Sequence, residues 1–159
     1  MKNAFLLFAL ACGLTAGAQS KDSAKTAAVK TLVESGKYLF RAQTAVPLRG
    51  IARNLTSEYD MTISPTSLIC DLPYFGRAYT SDFGAGANQS PMSFTTKNFD
   101  YTVTPQKKGG WEVTIKPKDR NGDIQQMVLS IGQNGYASLQ VISSSRDAIS
   151  YNGSILPAP

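Results

Sequence analysis

"DIQQMVLSIGQNGYASLQVIS" (Asp123–Ser143) decides the fold. Apolar residues alternate with polar ones on both sides of Asn134-Gly135, a dipeptide that favours a hairpin turn. Period two on both arms means two antiparallel strands, each with one face turned to a core. The same grammar recurs upstream. In "FDYTVTPQKKGGWEVTIKP" (Phe99–Pro117), Phe99, Tyr101 and Val103 face one way, and Trp111, Val113 and Ile115 answer across a turn ending in Gly109-Gly110. In "YDMTISPTSLICDL" (Tyr59–Leu72), Tyr59-Met61-Ile63 and Leu68-Cys70-Leu72 flank the turn Ser64–Ser67. A last strand, Ala148–Ile155, follows the polar turn Ser143–Asp147.

Turn signals thus recur roughly every dozen residues, with no helical pattern between them. Short connections force neighbouring strands to run antiparallel. The expected fold is mainly β with one N-terminal helix: an antiparallel up-and-down meander of about seven to nine strands, curled into a barrel-like sheet because open edges invite aggregation. A two-sheet sandwich is the alternative.

The N-terminus reads differently. Lys2 precedes an apolar run from Ala4 to about Thr15, too short for a bilayer-spanning helix, and Ala16-Gly17-Ala18 offers the small residues a signal peptidase accepts. Residues 1–18 are therefore expected to be a secretory signal peptide, and the mature chain to carry no transmembrane segment. "LAC" at Leu10-Ala11-Cys12 supplies the alternative, a lipid anchor on Cys12. Residues 19–36 are expected to hold the helix. Asp22 or Ser23 would cap its start, Ala28 and Leu32 with Val29 and Val33 would form its apolar stripe, and Gly36 would stop it. Residues 37–159 form a single β unit.

Composition removes most chemistry. The chain has no histidine, so no Ser-His-Asp or Cys-His nucleophile and no histidine-containing zinc or iron site can exist. Of its two cysteines, Cys12 and Cys70, the second lies between Ile69 and Asp71 in an alternating strand and reads as a small buried hydrophobe. The net charge of +5 comes from 16 basic and 11 acidic residues spread along the chain, which does not make a nucleic-acid footprint. Glu58 and Asp60 share a strand face, as a carboxylate dyad for glycoside hydrolysis would, but Tyr59, Met61 and Ile63 claim the inner face and send the acids outward. "DRNGD" (Asp119–Asp123) lacks the glycine and the distal acid of a calcium loop and reads as a hairpin turn. Asn54, Asn88 and Asn152 each open an Asn-x-Ser/Thr triplet, which matters only in a eukaryotic secretory pathway. No catalytic residue, metal site or cofactor is assigned.

What remains is "DLPYFGRAY" (Asp71–Tyr79). Leu72 ends a strand, Pro73 falls where a ladder donor can be given up, and Gly76 permits a positive φ or a close approach. The stretch reads as a strand-end corner leading into the Gly-rich loop Ser81–Pro91. Its aromatics either fold onto the core they cap or form a binding lip. The candidate ligand-binding residues are Tyr74, Phe75, Arg77 and Tyr79, with Arg41. Arg41, Arg49, Arg53 and Arg77 could converge on an anionic group.

Five stretches carry a resemblance: "GKYLFRAQTAVPLRG", "LTSEYDMTISPTSLICDLPYFGRAY", "DYTVTPQKKGGWEVTIKPKD", "NGYASLQVISSSR" and "ISYNG". Together, from Gly36 to Gly153, they resemble a family of exported Bacteroidota proteins known as domain of unknown function 4251. The resemblance implies an export destination of periplasm, outer membrane or outside, and carries no catalytic residue. Asp22-Ser23-Ala24 also resembles an O-glycosylation acceptor used in that phylum. The expected function is a non-enzymatic binding or interaction module of the envelope, its partner an apolar or anionic small molecule or another envelope protein. The alternatives are a structural or assembly component without a small ligand and, further off, a carboxylate-based glycan-active enzyme.

Overall fold

The computed structural model describes the backbone of residues 16–79, 90–119 and 123–159, and side chains within those spans from residue 23 onward. Residues 1–15 with Cys12, residues 80–89 and Arg120–Gly122 lie outside the described residues. Among the described residues one helix, α1 (Ala16–Ser35), precedes nine strands. These are β1 (Tyr38–Pro47), β2 (Arg53–Ile63), β3 (Leu68–Asp71), β4 (Ser93–Thr96), β5 (Phe99–Pro105), β6 (Trp111–Pro117), β7 (Ile124–Ile131), β8 (Tyr136–Ser143) and β9 (Ile149–Pro157).

All nine belong to a single sheet in the order β4-β3-β2-β1-β9-β8-β7-β6-β5, and every pairing is antiparallel. Sequence neighbours are sheet neighbours everywhere except between β4 and β5, and β1 closes the circuit on β9. The directions explain the exception. Following the antiparallel pairings from β1 both ways round, β4 and β5 run the same way. Parallel neighbours need a long crossover, but only Lys97 and Asn98 separate these two strands. β5 therefore continues β4 as one bent strand that leaves β3 and joins β6. Thr96 holds the bend: its Oγ1 donates to the Asn98 carbonyl (3.3 Å) and accepts from the Asn98 amide (3.0 Å). The Asn98 carbonyl also accepts from the Lys118 amide (2.8 Å), so the ladder to β6 starts inside the bend.

Counted this way the circuit holds an even number of strands, as an all-antiparallel barrel requires, and the sheet forms a nearly closed barrel. It is also strongly staggered. Pro105 faces Trp111, then Ile131, Ala137, Gly153, Ala42 and Tyr59. Asp60, next to Tyr59, faces Asp71 and then Ser93, so the path returns to the other end of the same bent strand. Such stagger is what strand tilt in a barrel demands.

The alternation predicted from the sequence sorts the side chains. Tyr38, Phe40, Met61, Ile63, Leu68, Leu72, Ile115, Met127, Leu129, Leu139 and Tyr151 are fully buried inside the barrel. A barrel of this size has an interior just wide enough for side chains to fill, and here they fill it. The two buried tyrosines keep their hydroxyls bonded, Tyr38 to the Tyr101 hydroxyl (3.2 Å) and Tyr151 to the Pro73 carbonyl (2.8 Å). Among the described residues no buried side-chain nitrogen or oxygen lacks a partner.

At the β1–β9 seam, Gln43 is an extra residue against β9. The bulge presses the β1 backbone onto Gly153, where an added Cβ would collide with the Arg41 carbonyl oxygen.

The helix lies at the barrel end that holds the start of β1 and the β7–β8 turn. Among its described side chains Val29 and Val33 are buried and Leu32 is partly buried. Ala28, expected in the stripe, is exposed; the barrel end accepts the two branched side chains, and the apolar face is turned accordingly. Asp22 and Ser23 do not cap the helix, because the small residues Ala16–Ala18 extend it past them. Gly36 stops it as expected, at φ 61°. Among the described residues no helix is long and apolar enough to cross a membrane.

Candidate functional site

The opposite end of the barrel, the rim, gathers the β1–β2 loop (48–52), the corner that follows β3, and the β8–β9 turn (144–148). The corner folds back over this end. Leu72 is fully buried, and Tyr74 and Phe75 pack against the core while remaining partly exposed. The Pro73 carbonyl accepts from the Tyr151 hydroxyl, which reaches it from inside the barrel. Tyr74 then doubles back across Gly76. Its hydroxyl lies beside the Arg77 carbonyl (3.1 Å) and the Asp147 carbonyl (2.9 Å), and an added Cβ on Gly76 would collide with its ring. Gly76 is thus needed for a close approach and not for a positive φ.

From Arg77 the chain runs along the β8–β9 turn as a short antiparallel bridge, Ala78 facing Arg146. The Tyr79 amide donates to the Ser145 carbonyl (2.8 Å) and the Asp147 amide to the Arg77 carbonyl (3.0 Å). The Asp147 side chain, only 3% exposed, accepts the Tyr79 hydroxyl. That bond, with burial and the Asp147 charge adding to it, raises the Tyr79 phenol above its ordinary range, while Arg49 and Arg77 lie near enough to oppose the shift. Burial first, then the Asp147 charge, raises the Tyr74 phenol, and Arg146 opposes it.

A second carboxylate locks the turn. Asp123, just before β7, accepts from the Ser144 hydroxyl (3.0 Å), the Ser145 amide (3.0 Å) and Arg146 Nε (2.8 Å). Burial alone would raise this carboxyl, but the hydrogen bonds from Ser145, Ser143 and Ser144 outweigh it and hold the group at about 2.

Arginines overlie two of the corner's three aromatics. Arg53 sits 5.0 Å from the Phe75 ring centre and Arg146 sits 5.7 Å from that of Tyr74. Among the described residues Arg49, Arg53 and Arg77 have no carboxylate partner. Arg41 is different. It lies on the outer face of β1 with a two-pronged grip on Asp60 (Nε and Nη2, both 3.0 Å) and a third bond to Glu58 (3.0 Å).

The structure thus brings Tyr74, Phe75, Arg77 and Tyr79 together with Arg49 and Arg53, and leaves Arg41 out. Glu58 and Asp60 point outward, as their alternation with Met61 and Ile63 required, and both bind Arg41. Cys70 is buried, and burial pushes its thiol far up, away from the reactive thiolate. Among the described residues no group of three or more cysteine or acidic side chains could hold a metal. An open depression of about 420 Å³ lies on the outer face of β5 and β6, lined by Asp100, Tyr101, Thr102, Thr114 and Lys116. It shares no residue with the rim.

The residues missed from the sequence are Arg146, Asp147, Asp123 and Tyr151. The one signal was the Arg-Asp pair inside an otherwise serine-rich turn, "SSSRD" (Ser143–Asp147).

No curated protein matches the chain. Among solved structures, it is similar to the crystal structure of a DUF4251 family protein from Bacteroides eggerthii, with 13% identity, a TM-score of 0.61, and coverage of 87% of this chain and 91% of the other. The likeness is one of fold, and it provides a link to the Bacteroidota. The profile of the family described as domain of unknown function DUF4251 matches residues 20–155, nearly the whole β unit together with the helix, and the chain belongs to that family.

Proposed function

We propose that the protein is an exported, non-enzymatic interaction module of the bacterial envelope that engages anionic groups through its rim and not through its interior. The observation that carries this reading is the contrast between the barrel's two regions. Inside, fully buried side chains such as Phe40, Met127 and Leu139 occupy the space an apolar ligand would need. At the rim, Arg49, Arg53 and Arg77 stand beside an aromatic corner without carboxylate partners among the described residues. Arginine presents a planar fork of donors that suits phosphate and carboxylate. Tyrosine and arginine together are the residues that dominate recognition surfaces.

The same filled interior favours a component that meets another surface over one that carries a small molecule. A glycan-active enzyme has less support. Glu58 and Asp60, the closest approach to a carboxylate dyad, are on the outer face and bound to Arg41. Export rests on the leader sequence: Lys2, the apolar run and Ala16-Gly17-Ala18.

Titration calorimetry with a soluble inorganic polyphosphate tests the rim. The reading expects salt-sensitive binding that weakens at least tenfold in the triple variant Arg49→Ala, Arg53→Ala, Arg77→Ala, with the thermal midpoint little changed. A control variant, Lys107→Ala with Lys108→Ala at the far turn, should bind as the wild type does. Equal binding by the triple variant, or equal loss in the control, would overturn it.

A further inference from the structure

The rim has an apolar edge that the anion-binding reading does not use. The β1–β2 loop runs Leu48-Arg49-Gly50-Ile51-Ala52-Arg53. Leu48 is 65% exposed and Ile51 82%, and Tyr79, close by, is 63% exposed. Among the described residues the other large exposed apolar side chains, Ile69, Tyr136 and Leu156, lie on different parts of the barrel. Leu48 and Ile51 project from a loop whose backbone is tethered: the Leu48 amide donates to the Ala148 carbonyl (3.2 Å). Each is followed or flanked by an arginine. Between Glu34 and Glu58 the chain contains Lys37, Arg41, Arg49 and Arg53 and no acidic residue. Of the carboxylates described around the β8–β9 turn, Asp147 is bound by Tyr79 and Asp123 by Arg146.

We propose that this loop docks the barrel, rim first, on an anionic phospholipid bilayer, with Leu48 and Ile51 entering the interface and Arg49, Arg53 and Arg77 meeting headgroup phosphates. The proposal rests on the rim reading above and names its partner. Charge complementarity selects the bilayer. A protein partner would be expected to bring an apolar pocket to two isolated aliphatic tips, whereas an interface accepts them at any lateral position. Phosphates there surround an inserted loop on all sides. Insertion of two aliphatic side chains together with cationic contact combines the buried apolar area and the attraction to anionic lipids that set interfacial binding strength. Arginines near an anionic surface contribute about fivefold each, and burial of a leucine or isoleucine side chain contributes roughly tenfold or more.

The test is sedimentation with phosphatidylcholine vesicles prepared with and without phosphatidylglycerol, using the chain from residue 19 onward. Phosphatidylglycerol vesicles should bind it and pure phosphatidylcholine should not. Leu48→Ser with Ile51→Ser should weaken vesicle binding at least tenfold while leaving polyphosphate affinity and the thermal midpoint unchanged. The arginine triple variant should lose both ligands. Vesicle binding that survives the serine pair, or polyphosphate binding without any vesicle binding, overturns the membrane proposal and leaves the rim reading standing. Absence of both overturns the two together.

Discussion

Asp123 and its partners show what one side chain holds at the rim. Its carboxyl sits at about 2 in the fold against an ordinary 3.8. A group depressed in this way contributes stability that is present above its ordinary value and lost as pH falls toward the folded one. Thermal unfolding across pH should therefore show the wild type losing stability between about pH 4 and pH 2. Asp123→Asn should start lower at neutral pH, by ~1–3 kcal/mol, because Arg146 loses its charged partner and one acceptor oxygen becomes an NH2 donor. It should lose less than the wild type on acidification; parallel curves would refute the assignment. At this scale the sequence was legible where burial follows alternation and illegible where partners are distant. Cys70 reads as a buried hydrophobe because Leu68 and Leu72 flank its face. Asp147 meets the Tyr79 hydroxyl and the Arg77 carbonyl across nearly half the chain; no local pattern encodes such a pairing. The glycine at 76 announced a special backbone position, but only the folded corner shows that the reason is the Tyr74 ring.

Elements were the most legible level, and their errors are informative. Every hairpin signalled by period two is present, because inner and outer faces of a tilted strand see different solvents. The helix is where its composition placed it, but its buried face is turned, with Val29 inside and Ala28 outside. Alanine is compatible with either side, so the helix alone could not fix the choice. The break between β4 and β5 was invisible, since Thr96-Lys97-Asn98 looks like an ordinary link and only the pairing directions reveal a bend. The bulge at Gln43 was equally hidden. Its requirement at Gly153 gives a sharp expectation: Gly153→Ala places a methyl against the Arg41 carbonyl and should lower stability by ~1–3 kcal/mol, measured by chemical denaturation. Ser154→Ala, one residue on and without that contact, should change it by less than ~0.5 kcal/mol. Equal effects would mean the seam is looser than described.

As a whole, the molecule is a staggered barrel plugged by its own side chains, closed at one end by α1 and at the other by the aromatic corner. Predicting a curled meander was possible because closure removes the exposed edges that a long run of short antiparallel strands would otherwise leave. Whether the interior held a cavity was not legible: alternation says which residues point inward, and not whether their volumes sum to the space available. On the proposed reading the filled interior moves function outward, to the end where Arg49, Arg53 and Arg77 have no acidic partner among the described residues. Amide and methyl NMR spectra recorded during titration with polyphosphate test that claim most directly. The account predicts shifts confined to the backbone around Leu48–Arg53, Arg77 and Tyr79, with the methyl signals of Met61, Met127 and Leu139 unmoved. Shifts centred on those interior methyls, with the rim amides still, would contradict it.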